Sequence, residues 1–364
     1  MYRRHFLSLL GLSAALSPNI LRASNSTKSK MKLKIAGYDF DRVAALAEGK
    51  VSIDGCDYSF ERGRIGEMNT DVFSGKASRE VTEIGLHPFM LAYANEGFRD
   101  YTLLPIFPVR TFRHKSIFIR TDAGIKKPED LKGRRIATPG FSSTSLTWIR
   151  GILQHQYGIS PQDVEWVVSS KDSSAGATGT VSKQELMIPD GLKVASGPEG
   201  KDESQMLVDG DVDALFHAVE PQAYIDGNPL VSRLFPDFRA TEQAYFKETG
   251  IFPIMHAVAI KKSLINAQPW LAQAIFDAYC ESKTLCLNHL KENAWIFNSL
   301  PWANQEVENT IDLMGENWWP YGIEPNKKTL NALFQYSHEQ GLAKHKLEID
   351  QLFHPASLSL SEKV

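Results

Sequence analysis

The 364-residue sequence predicts an α/β fold. Three observations carry this reading. Short runs that alternate apolar and polar residues recur through the first two-thirds of the chain, each followed by a stretch with apolar residues at helical spacing. Gly, Pro, Ser and Asp punctuate the boundaries between them. From about Pro253 the pattern becomes mainly helical. Hydrophobic residues make up 43% and charged residues 23%, the balance of a folded chain long enough for two domains with a core each.

The N-terminal element comes first. YRRHFLSLLGLSAALSPNILRA, residues 2–23, starts with Arg3-Arg4, continues with Phe6-Leu7 and an apolar stretch, and ends on a small residue. No acidic residue precedes Asp39. This is the pattern of a signal peptide of the twin-arginine type, spanning 1–23 and directing export to a bacterial periplasm. MKLKIAGYDF then sets Leu33 and Ile35 against lysines as a strand, DRVAALAEGKV reads as a short helix, and CDYSFE as a second strand. VTEIGLHPFMLAYANEG is a strand end entering a helix, with Pro88 tolerated in its first turn. HKSIFIR is a strand with Ile117 and Ile119 on one face.

In the middle third, KPEDLKGRRIATPG predicts a short helix, a turn and a strand. In FSSTSLTWIRGILQHQYG, the hydroxyls of Ser142, Ser143, Thr144 and Ser145 supply capping chemistry ahead of an apolar-periodic helix closed by Gly158. DVEWVV is a strand. KDSSAGATGTVSKQELMIPDG, rich in Ser, Thr and Gly, reads as a mobile surface loop. ESQMLVDGDVDALFHAVEP predicts a helix, a turn and a strand over Asp213–Ala218. Two long helical patterns occupy the remainder, SLINAQPWLAQAIFDAYCESKTLCLNHLKENA and NKKTLNALFQYSHEQGL.

Several function classes fall away. The net charge is −3 and no Lys/Arg-rich run occurs, which argues against nucleic acid as a partner. Cys56, Cys280 and Cys286 have no C-x-x-C spacing, so neither a disulfide framework nor a zinc-thiolate site is indicated. G-x-S-x-G, Walker and G-x-G-x-x-G motifs are missing, and no organic cofactor is expected.

The chemistry-bearing residues gather in a few places. Free N–H groups at the helix start beside Ser143 and Thr144 suit a carboxylate or phosphate. FPVRTFRHKSIFIR crowds Arg110, Arg113, His114, Lys115 and Arg120 into one run. An arginine fork suits bidentate carboxylate binding, whereas an edge strand would turn the same charges to water. His87, His217 and His256 each lie at an apolar strand end or beside a proline, where open α/β sheets place ligands. Glu83 and Glu220 are the oxygen donors that would complete a divalent-metal site with them, although no spacing advertises a ligand set. The aromatic segment MGENWWPYGIEPN would either stack on a ligand or pack a terminal helix.

IFPVRTFRHKSIFI, WIRGILQHQYGISPQDVEWV, LFPDFRATEQAYFKETGIFPIMHAVAI and WWPYGIEPNKKTLNALFQYSHEQGL together resemble the 4,5-dihydroxyphthalate decarboxylase family, in order and over nearly all of Lys32–Pro355. The resemblance implies a two-lobed type II periplasmic-binding-protein fold. One lobe would comprise residues 31–116 plus 255–364 and the other 117–254, with two hinge crossings near Arg113–Arg120 and Gly250–Ala259. Two features set this chain apart: the leader, and EIGLHPF where the family pattern resembles EMSLSSY. The implied activity is loss of a carboxylate from a hydroxylated aromatic acid bound between the lobes. Arg110 and Arg113 would grip the acid with Ser143 and Thr144, and His114, His217 or His256 would donate the proton. Glu83 would polarise the hydroxyls, with His87 and Glu220 among the substrate contacts. The alternative is a periplasmic receptor without catalysis, which would deliver an aromatic or dicarboxylate solute to an inner-membrane transporter.

Overall fold

Two mixed sheets organise the chain in a computed structural model that describes residues 30–292 and 299–363. The leader expected over 1–23 lies outside the described residues. The first sheet is built from β1 (Met31–Gly37), β2 (Cys56–Arg62), β3 (Val81–Gly85), β4 (Tyr101–Arg110) and β11 (Ile254–Lys261), in the order β2-β1-β3-β11-β4. The second contains β5 (Ile117–Arg120), β6 (Arg135–Thr138), β7 (Glu165–Val168), β8 (Val194–Ser196), β9 (Ala214–Phe216) and β10 (Val231–Arg233), in the order β10-β5-β9-β6-β7-β8. Both have a parallel portion joined by helical crossovers and antiparallel strands beside it. The chain passes from the first sheet to the second after Arg110 and returns ahead of Ile254.

Alternating apolar residues predict most of these strands, but packing changes four readings. The run Phe107–Arg120 is not one strand: β4 ends at Arg110, and His114–Ser116 form a 3-10 turn before β5. Because β5 lies between β9 and β10, Ile117, Phe118 and Ile119 are all buried, rather than one face alone. The segment after Pro253 opens with a strand. Apart from His256, β11 is apolar through its interior, where it sits between β3 and β4, and such a run has no period to tell strand from helix. Finally, the Ser/Gly-rich stretch 171–191 contains a short helix, Ala175–Thr178, and a 3-10 turn, Lys183–Leu186.

The helix Thr144–Tyr157 forms as its sequence predicts. Ser143 is the N-cap, its Oγ accepting the Leu146 N–H at 3.3 Å, and Gly158 closes the C-terminus at φ 63°, a conformation that favours glycine. The helix is buried from Thr144 to Leu153. Trp148 Nε1 donates to the Ile254 carbonyl at 2.9 Å, tying it to β11. On another side it packs against the helix Lys327–Glu339, where Gly151 meets the Tyr336 ring. The aromatic segment Met314–Asn326 packs on the first sheet: Trp319 Nε1 donates to the Phe107 carbonyl at 2.9 Å, and the Arg42 guanidinium lies 4.0 Å from the Trp319 ring centre.

A Cβ at position 151 would lie 2.0 Å from Tyr336 Cδ2, far inside van der Waals contact. Gly151→Ala is therefore expected to cost about 1–3 kcal/mol of stability through overpacking. Denaturant unfolding checks this, and an unchanged midpoint would show that the ring moves aside freely.

Candidate active site

The ends of β3, β6, β7 and β9, the start of β11 and the helix start at Thr144 converge on a cavity of about 290 Å³. Its lining includes Asn69, Ser143, Thr144, Ser145, Asp172, Glu185, His217, Met255 and His256. At the helix start, the N–H groups of Thr144 and Ser145 occupy the first two helical positions and have no intrahelical acceptor. These amides and the positive end of the helix dipole make that wall receptive to an anion.

Two histidine–carboxylate pairs flank the same space. His256 Nδ1 lies 2.5 Å from Glu83 Oε1, and the other Glu83 oxygen accepts the Tyr38 N–H at 3.0 Å. His256 Nε2 has no hydrogen-bond partner among the described residues, and His256 lines the cavity. The second pair joins His217 Nε2 to Asp172 Oδ1 at 3.2 Å. Burial acts to raise the Asp172 pKa, but hydrogen bonds from His217 and Ser174 outweigh it and hold the carboxyl below its ordinary value.

Asp172, Glu203 and His217 bring one ligand atom each within 4.8 Å of one another. The protonation geometry does not suit a three-ligand metal set. His217 Nδ1 is 3.0 Å from the Val219 N–H and 3.3 Å from the Val219 carbonyl. An amide N–H can only donate, so the nearer contact makes Nδ1 an acceptor and leaves the ring proton on Nε2. A metal-bound imidazole has the opposite requirement: its outer nitrogen donates. His217 therefore presents Nε2–H to the carboxylates.

The sequence-predicted residues divide between this cavity and other settings. Ser143, Thr144, His217 and His256 line it, and Glu83 stands directly behind His256. His87 is fully buried behind the helix start. Its Nδ1 meets the Ser142 carbonyl at 2.6 Å, its Nε2 meets Ser337 Oγ at 2.8 Å, and its backbone N–H donates to Thr144 Oγ1 at 3.1 Å. Arg113 donates to the Ala218 carbonyl at 3.0 Å and contacts Met255 Sδ at 3.1 Å, one layer behind two lining residues. Arg110 points elsewhere, to the Pro320 carbonyl and Asn326. His114 contacts Gln156 at 3.2 Å and packs between Phe235 and Tyr245. Glu220 pairs with Arg233 at a separate shallow pocket beside Lys115. The arginines of the basic run are thus set against main-chain carbonyls, because β4 ends at Arg110 and the turn at His114 redirects the chain into β5.

Sequence reasoning passed over Asp172, Glu185, Asn69 and Met255. Asp172 and Glu185 lie in the Ser/Gly-rich stretch whose composition reads as a surface loop. The signal that could have found them is position, a long connection holding acids after a strand of an α/β sheet.

Comparison with known proteins adds relatives to this geometry. Residues 104–183 match the family described as NMT1/THI5 like. A 4,5-dihydroxyphthalate decarboxylase of Comamonas testosteroni is 33% identical over 330 residues, covering 91% of this chain and 98% of its own. A second, from Pseudomonas putida, is 33% identical over 219 residues, covering 60% of this chain and 83% of its own. Among solved structures, the periplasmic aliphatic sulphonate binding protein SsuA of Escherichia coli superposes with a TM-score of 0.52 at 15% identity, over 89% of this chain and 98% of its own. A putative periplasmic sulfonate-binding protein of Methylobacillus flagellatus gives 0.53 at 14% identity, over 91% and 93%. The fold is that of the periplasmic binding proteins.

Burial pushes both His87 and His114 down to about 4. An unfolded chain protonates these rings near 6.5, so the folded state loses stability as pH falls from about 6.5 toward 4. His114→Phe is expected to remove one such contribution, so that the variant gains on wild type by roughly 3 kcal/mol between pH 7 and pH 4. Parallel stability curves for the two proteins would contradict this.

Proposed function

Because the chain belongs to the 4,5-dihydroxyphthalate decarboxylase family, we propose that it is a carboxy-lyase acting on a hydroxylated aromatic dicarboxylate held in this cavity. The observation that carries the proposal is a carboxylate-oriented histidine, His256 with Glu83, lining the same cavity as the free N–H groups of a helix start. The first suits a phenolic hydroxyl and the second a carboxylate. A hydroxylated phthalate carries both.

In the proposed reaction, one carboxylate rests on the Thr144 and Ser145 N–H groups. His256 Nε2 takes the proton of the hydroxyl para to the carboxylate that leaves, and Glu83 stabilises the resulting imidazolium. Electron density then reaches the ring carbon bearing that carboxylate, which accepts a proton. The carbon–carboxylate bond breaks, carbon dioxide leaves, and its electron pair restores the aromatic ring. His256 returns its proton to the phenolic oxygen. The net change is replacement of one carboxylate by one hydrogen. His217, its Nε2–H held by Asp172, orders that carboxylate at the wall of the cavity. No step calls for a metal or organic cofactor.

A second reading is supported by the helix-start anion site together with the binding-protein fold: a receptor that closes on an aromatic or dicarboxylate solute and presents it to a transporter. The Arg3-Arg4 leader supports a periplasmic location under either reading. Fractionation of cells expressing the full chain tests that location, and retention in the cytoplasm would dismiss it.

Incubation of the leaderless protein with 4,5-dihydroxyphthalate is expected to release carbon dioxide, at a rate unchanged by prior dialysis against a chelator. His256→Asn is expected to lower kcat by about 10²–10⁴-fold while substrate still binds. Tight binding by wild type without carbon dioxide would replace the lyase by the receptor.

A further inference from the structure

The reaction needs an acid at the ring carbon; of the histidines expected to donate that proton, His114 does not line the cavity, His256 is given to the phenolic hydroxyl, and His217 has its N–H on Asp172. We infer that Glu185 is the catalytic acid, presented to the ring by a strap that reaches across the cavity. This inference rests on the decarboxylase reading and adds to it the residue that protonates carbon.

Glu185 belongs to the connection between β7 and β8 in the second sheet, yet its one partner outside that connection, Asn69, lies on a helix between β2 and β3 of the first. Asn69, on the helix Ile65–Phe73, is fully buried, and its Oδ1 accepts the Gly85 N–H at 3.0 Å. That bond fixes the amide so that Nδ2 points to Glu185 Oε2, at 3.4 Å. Oε2 also accepts the Ser182 N–H at 3.0 Å and the Ser182 hydroxyl at 3.1 Å. Three donors occupy Oε2, and none among the described residues occupies Oε1. When the carboxyl is protonated its hydrogen therefore resides on Oε1, the oxygen left to the cavity. Burial favours that protonated form, raising the pKa of Glu185 against the opposing hydrogen bonds from Ser182 and Asn69.

The strap is held at both ends. Gly66, at the start of the helix Ile65–Phe73, packs directly under the carbonyls of Thr178 and Thr180, and a Cβ there would collide with the latter. Lys183 pairs with Glu96 at 2.8 Å, and Gln184 donates to the same carboxylate at 3.1 Å. The acid is thus in register only when the strap covers the cavity, which also excludes water from the ring. In the step itself, the Oε1–H proton forms the new C–H bond as the carboxylate departs. Glu185 is left ionised and recovers a proton from water once product has gone.

The test is hydrogen exchange into the product, 3,4-dihydroxybenzoate, in deuterium oxide, beside decarboxylation of 4,5-dihydroxyphthalate. Wild-type protein should exchange the ring hydrogen para to the 3-hydroxyl, the reverse of the protonation. Glu185→Gln should bind the product with an unchanged Kd and lose both exchange and turnover by about 100-fold or more. Glu185→Asp, which keeps an acid on a shorter arm, should recover part of the exchange. Exchange and turnover by Glu185→Gln within about twofold of wild type would overturn the assignment alone. Loss of product binding in Glu185→Gln would also overturn it, making Glu185 a ligand contact. Wild-type protein that binds product and neither exchanges nor decarboxylates would overturn the decarboxylase reading, and this assignment with it.

Discussion

The cavity depends on one neutral imidazole. His87 stands at the start of the helix after β3, and its two ring nitrogens and its backbone N–H reach partners on separate elements, among them the Ser142 carbonyl, the Ser337 hydroxyl and Thr144 Oγ1. These come from the loop before the helix Thr144–Tyr157, from the helix Lys327–Glu339, and from the first residue of the cavity helix itself. One residue attached to the first sheet thereby fixes where a helix of the second begins. A protonated ring would carry a donor on both nitrogens and face the Ser142 carbonyl and a hydroxyl at the expense of a buried charge, so burial keeps it neutral. The helix start then offers Thr144 and Ser145 N–H groups in a fixed position, and preorganised donors of this kind need no rearrangement when an anion arrives.

Around that fixed wall the ionisable groups are arranged in three different ways. Glu83 orients His256 and leaves its second nitrogen for a ligand. Asp172 faces a histidine whose other nitrogen is already taken by a main-chain amide, so the ring's one N–H goes to Asp172. Glu185 has its polar contacts on a single oxygen. A donor, supplied by the helix-start N–H groups, an acceptor and a carbon acid are the three functions that loss of a carboxylate from a phenolic ring requires. A binding protein requires only the first two, and the difference between a receptor and an enzyme on this scaffold reduces to the third.

Much of this architecture was legible in the sequence, for reasons that differ from place to place. The helix Thr144–Tyr157 was readable because its cap and its terminating glycine are local chemistry, and both function as their types suggest. His217 and His256 were readable as residues at strand ends. β11 was not, since a strand buried between two others loses its alternation. The basic run Phe107–Arg120 drew attention to charge, but Arg110 and Arg113 are held by main-chain carbonyls that only tertiary structure brings near. The stretch around Asp172 and Glu185 has loop composition because it contains little regular structure. That composition does not distinguish a surface loop from a strap folded over a ligand site, and Asn69, the residue that makes the difference, lies 116 positions away from Glu185.

A crystal structure of the leaderless protein with phthalate, which has both carboxylates but no hydroxyl to drive decarboxylation, is the most direct measurement of where the ligand sits. The expected result is one carboxylate on the Thr144 and Ser145 N–H groups, with the ring between His256 and Glu185. A ligand bound instead beside Lys115 and Arg233, with this cavity holding only water, would contradict the site and the chemistry assigned to it.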